Sequence, residues 1–96
     1  MSDPPEVTFG HADPDKPVDV RRSSEFTVYV DGKPAGRIYR FRLGNWQVDE
    51  PLANRLGWTF DDRRGFARDK VSLPAMRDMV TKRVIRIWVR KMVRKG

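Results

Sequence analysis

The chain has no cysteine and a single histidine. Without cysteine there can be no disulfide, no thiolate nucleophile and no cysteine-based zinc site, and this usage fits a cytoplasmic protein of a bacterial cell or phage-infected host. His11 stands in a Pro-rich acidic stretch near Asp13 and Asp15. That is a poor ligand set for a metal, and no ordered region pairs a serine with a histidine, so neither a metal centre nor a Ser-His nucleophile is expected. No apolar run approaches the roughly 18 residues of a spanning helix, and the opening MSDPPEV lacks the apolar core of a secretory signal. The segment Asp31–Gly36 holds only two glycines, and Pro34 removes a backbone donor, so it reads as a hairpin loop rather than a phosphate cradle. The adjacent carboxylates Asp49/Glu50 and Asp61/Asp62 project in different directions and sit at turn signals, which makes them turn formers rather than an acid–base pair. No catalytic residue and no cofactor is assigned, and a non-enzymatic protein is expected.

What is present is charge and aromatic bulk. Ninety-six residues suit one small core, and three Trp, five Phe and two Tyr supply large areas to bury. Arginine outnumbers lysine fourteen to six, which suits bidentate recognition of phosphate or carboxylate. The charge is polarised along the chain: residues 1–20 carry net −4, residues 21–70 net +4 and residues 71–96 net +7. Pro4, Pro5, Gly10, Pro14 and Pro17 break the first segment, so residues 1–22 are expected to form an acidic, disordered or surface-draped arm. A single domain is expected over 23–96.

Periodicity predicts an α+β domain. Phe26, Val28 and Val30 alternate with Thr27 and Tyr29, as in a half-buried strand, and Asp31-Gly32 is a turn signal extended by Lys33-Pro34-Ala35-Gly36. Residues 37–43 alternate again, with Tyr39, Phe41 and Leu43 on one side and Ile38, Arg40 and Arg42 on the other. Gly44-Asn45 is a second turn and Trp46-Gln47-Val48 a short third strand. Pro51 to Leu56 suits one helical turn ending at Gly57, followed by an extended piece at Trp58-Thr59-Phe60 and a charged turn at 61–65. Trp46 and Trp58 are expected core anchors. Ser72 is a plausible N-cap for a long helix over about 73–94, since Pro74 is tolerated in a first turn and no breaker follows until Gly96. The fold class is therefore a small antiparallel meander of three to four strands packed on one long C-terminal helix.

On a helical wheel Met76, Met79, Val80, Val84 and Ile87 form an ordinary core stripe about 140° wide. Ile85, Trp88, Val89, Met92 and Val93 extend the apolar surface to roughly two thirds of the circumference in the second half of the helix. One small sheet cannot cover that, so these five are a candidate interface with a second copy or a partner protein, with the 46–66 segment an alternative cover and a membrane surface a less favoured one. The remaining sector is a basic ridge of Lys82, Arg83, Arg86 and Arg90, expected to have no acid within reach. It is either a solvated face or a site for nucleic-acid phosphates or acidic protein.

If Tyr39, Phe41 and Leu43 join Phe26, Val28 and Val30 against the helix, the opposite sheet face shows Thr27, Tyr29, Arg40 and Arg42, with Arg37 near the turn. A sheet backed by a C-terminal helix over residues 26–90 resembles the arm-type DNA-binding domains of phage integrases, which read DNA with a sheet. That resemblance implies a groove-docking sheet face. The expected function is nucleic-acid binding, DNA first, by an accessory protein of bacterial or phage origin through Lys82, Arg83, Arg86 and Arg90, with Arg37, Arg40, Arg42 and Tyr29 as a second patch. The alternative is a protein-interaction module, such as a phage-encoded inhibitor or a virion component.

Overall fold

A computed structural model of the chain describes residues 3–10 and 24–95. It is an α+β domain with one four-stranded antiparallel sheet in the order β1-β2-β3-β4: β1 Val7–Gly10, β2 Glu25–Val30, β3 Lys33–Arg40 and β4 Trp46–Val48. Three helices follow, α1 Glu50–Leu56, α2 Phe60–Arg68 and α3 Leu73–Lys95. Residues 11–23, the greater part of the acidic arm and the position of His11, lie outside the described residues. Residues 7–10, assigned above to the arm, instead form an edge strand, pairing Val7 with Val30 and Phe9 with Val28. The Asp31 carboxylate accepts from the Glu6 amide at 2.9 Å, and the Asp31 amide donates to the Glu6 carbonyl at 2.8 Å, which anchors the chain just before β1.

The β2–β3 hairpin turns on two residues. Asp31 (φ 53°) and Gly32 (φ 79°) both take left-handed backbone, the type I′ pattern whose twist matches the strands. Lys33 pairs with Val30, so Lys33–Gly36 belongs to β3 and does not extend the turn. The register slips between Val28, opposite Gly36, and Tyr29, opposite Pro34. Ala35 is the extra residue of a bulge, a position that also accommodates a proline in a strand.

That register places Ile38 opposite Phe26. Ile38 is fully buried, as are Val28 and Val48, whereas Phe41 is exposed. The face expected to be polar is thus the core face of β3, and Tyr39 lies on the other. Arg40 shares the parity of Ile38 and is exposed at the strand end opposite Trp46. Residues 42–44 form a 3₁₀ turn and do not continue the strand.

Against the core face pack α1 and α3. The Asp49 side chain accepts from Leu52 N–H at 3.0 Å to start α1, and Pro51 occupies its first turn. Gly57 (φ 69°) ends it, with Gly57 N–H donating to Asn54 and Trp58 N–H to Ala53, a Schellman pattern. For α3, the Ser72 hydroxyl accepts from Ala75 N–H at 3.3 Å. Met76 and Val80 are fully buried, Val84 nearly so, and Met79 and Ile87 pack against the same core. Trp46 stacks at 5.6 Å on Phe26, and Trp58 packs at the core's margin, edge-on to Phe66 at 5.1 Å.

Gly36 sets the distance between the sheet and α1. A Cβ there would lie 2.5 Å from Leu52 Cβ, 2.8 Å from Leu52 N and 2.8 Å from Asp49 Oδ1. These are the helix's first turn and its cap, so nothing flexible can yield. Gly36→Ala is therefore expected to destabilise the domain by about 1–3 kcal/mol through overpacking, seen as a lowered thermal midpoint. A midpoint equal to wild type would show that α1 does not sit this close.

Candidate nucleic-acid interface

The outer face of the sheet, turned away from α1 and α3, follows from the register. Thr27 and Tyr29 of β2 project there, beside Arg37, which pairs with Thr27, and Tyr39, which pairs with Glu25 and Gln47. Arg37 reaches the Glu25 carboxylate at 3.7 Å, with both side chains about half exposed, so the pair contributes little. Phe41 follows just past β3 and meets Tyr39 edge-on at 6.4 Å.

Beside β4 runs α2, held by polar contacts. The Gln47 amide, buried within the sheet, donates to the Arg63 carbonyl at 2.8 Å, and Asn45 donates to the Ala67 carbonyl at 3.2 Å. Just past the helix, the Val71 carbonyl accepts from Trp46 N–H at 2.7 Å. The Trp46 backbone donor at the edge of the sheet is thereby partnered, and α2 forms a second wall beside the outer face.

The start of α2 is a reciprocal capping box. Thr59 Oγ1 accepts from Asp62 N–H at 3.2 Å, and Asp62 Oδ2 accepts from Thr59 N–H at 2.7 Å. The extended piece at 58–60 and charged turn at 61–65 expected from the sequence are therefore a cap and a helix. The cap makes Phe60 the first helical residue, 73% exposed, and one turn later Arg64 lies over its ring at 5.9 Å. Across the gap, Arg42 lies over Phe41, itself 45% exposed, at 5.5 Å.

Between the walls is a shallow groove lined by Tyr39, Phe41 and Gln47 on one side and Phe60, Arg63 and Arg64 on the other. Arg63 Nε is buried there without a hydrogen-bond partner among the described residues. Exposed rings with guanidinium groups beside them offer flat apolar surface and positive charge together, the combination on which bases stack and phosphates pair.

The basic ridge of α3 is less uniform than its spacing suggests. Lys82 pairs with Asp78 at 2.9 Å, one turn back, which corrects the expectation that no acid lies within reach. Arg83 is partly buried and donates through Nε to the Leu56 carbonyl at 2.8 Å, satisfying the C-terminus of α1. Arg86 and Arg90 are exposed. All four sit on the helix covering the core face, so they share neither the groove of Tyr39, Phe41, Phe60 and Arg64 nor the outer sheet face of Tyr29 and Arg37. Sequence reasoning missed Tyr39, Phe41 and Phe60 as surface groups. A signal for Phe60 was present, since Thr59-x-x-Asp62 has the spacing of a capping box.

The same cap gives the groove an acid limit. Donation by the Thr59 amide, then by its hydroxyl, with Arg83 adding a smaller effect, holds the Asp62 carboxyl below the usual aspartate range. The folded state favours its ionised form, so the contribution is complete above the unfolded value of about 4 and is lost as pH falls through the lower folded value. Amide shifts of residues 59–62 are expected to hold down to about pH 4 and to move below it. Asp62→Asn should remove that transition; if the shifts titrate identically in the variant, the cap does not cause it.

Among the described residues no helix is long and apolar enough to cross a membrane, and no group of three or more His, Asp or Glu is placed to hold a metal ion. The likeness to integrase arm-type domains is one of layout alone, and the two extra helices and fourth strand depart from it. No protein-family model, curated protein or solved structure matches the chain.

Proposed function

We propose that this protein binds nucleic acid, and single strands in preference to duplex, through the groove between the outer sheet face and α2. The observation that carries this reading is the pair of exposed rings facing the same groove, Phe41 and Phe60, each with an arginine across its face. Leaving two large apolar rings in water on one groove is unfavourable. A base stacked on either ring would remove that exposure. Duplex DNA hides its base faces in the stack, whereas a single strand presents them. Arg42 and Arg64, with Arg37 further along the sheet, are then positioned for phosphates. The formal charge of +7 supplies long-range attraction, to which Arg86 and Arg90 add from the other side of the domain. Nothing in this reading calls for catalysis.

The test is anisotropy of a labelled oligothymidylate and of a duplex, read across salt concentrations. The single strand should bind more tightly, with a log–log slope of about −0.7 for each phosphate neutralised. Phe41→Ala and Phe60→Ala should each cost about 1–3 kcal/mol of binding, and Arg64→Ala should make the slope shallower. No binding at low salt, or full affinity in both phenylalanine variants, would overturn the reading.

A further inference from the structure

The distal half of α3 carries a second apolar face that the core does not use. Ile85, Trp88, Val89 and Met92 follow i, i+3, i+4, i+7 spacing and form one stripe, roughly 130° around the helix from Met76, Val80 and Val84. Ile85, Val89 and Met92 are exposed, and Val93 beside them is 73% exposed. On the helix itself their neighbours are basic. Arg86 and Arg90 flank one side of the stripe, Lys91 the other, and the one acid of α3, Asp78, lies in its proximal half and is paired.

We infer that this stripe docks an acidic amphipathic helix of another protein. Charge complementarity selects that occupant. A second copy packed through the same face would bring two basic rims together, with Asp78, already paired to Lys82, the one acid each α3 could offer. An anionic lipid surface would match the charge but not the shape. Trp88 stands between the stripe and a cleft of 430 Å³ lined by Val30, Leu56 and Val84, together with Arg55, Lys91 and the Asp31 carboxylate. A flat bilayer would leave that cleft empty. A partner helix fills it with one large apolar side chain, which makes Trp88 the anchor and Arg55 and Lys91 the readers of flanking carboxylates. The inference uses none of the groove residues and stands apart from nucleic-acid binding.

The probe is a synthetic helical peptide with a leucine stripe rimmed by glutamate, compared with the same peptide rimmed by lysine. The intact protein is expected to bind the glutamate peptide with a shift in tryptophan emission that Trp88→Phe abolishes. Val89→Asp should weaken binding by about tenfold or more, and Arg86→Glu with Arg90→Glu should transfer the preference to the lysine peptide. Thermal midpoints near wild type would show that these exposed substitutions leave the fold intact. Phe41→Ala should leave peptide binding unchanged while weakening oligothymidylate binding, which separates the two sites. Equal binding of both peptides, or binding without the Trp88 signal, would overturn the proposal. So would a dimer seen by light scattering and abolished by Val89→Asp, or binding to phosphatidylserine vesicles with none to the peptide.

Discussion

The pairing of β2 with β3 determines the parity of every side chain in the sheet. A tight Asp31-Gly32 turn and an extra residue at Ala35 together place Ile38, rather than Tyr39, opposite Phe26. A shift of one residue would exchange the two faces of β3, burying Tyr39 and exposing Ile38. The same register brings Gly36 beneath the first turn of α1, where no side chain fits. Both the core and the outer surface therefore descend from one hairpin. With Ile38 inside, Arg37 and Tyr39 have to be outside.

That outer surface becomes a groove because α2 is tied to β4 chiefly by polar contacts. No residue of α2 is fully buried, although Phe66 packs against the core through Trp58. Its position comes instead from Gln47 and Asn45, with the Val71 carbonyl closing on Trp46 just beyond it. Such bonds are individually modest but directional, so they fix where Phe60 and Arg64 stand relative to Phe41. A helix held mainly by direction rather than by apolar mass leaves the ring at its start, Phe60, free. Exposed rings beside guanidinium groups are what single-strand recognition requires.

The two halves of α3 differ. Its proximal half closes the core through Met76 and Val80 and satisfies α1 through Arg83. Beyond Val84 the exposed face is apolar with a basic rim, and little of the sheet remains for it to cover. Arg83, drawn into the cap of α1, serves the fold, whereas Lys82, paired with Asp78 but exposed, faces outward with Arg86, Arg90 and Lys91.

Features set by neighbouring residues could be read directly from the chain. The Asp31-Gly32 turn, the Gly57 stop of α1 with Pro51 in its first turn, the Ser72 start of α3 and its Met76–Val80–Val84 stripe all depend on local backbone preference or helical period. The capping box at Thr59 is equally local, and it marks the start of α2 and the place of Phe60. Other features are not local. Residues 37–43 place three apolar side chains on one side of a strand and one on the other, and composition alone favours the wrong side; pairing with β2, through a bulge, selects Ile38. Val7–Gly10 is too short and too close to breakers to declare itself, and it becomes a strand because β2 has an open edge. The roles of Lys82 and Arg83 were likewise decided by what lies within reach, a carboxylate one turn back and the carbonyl end of another helix. Local preference acts over a few residues and is written in order along the chain. Strand parity and the partners of a charge depend on contacts between distant segments, and those exist only once the chain has folded.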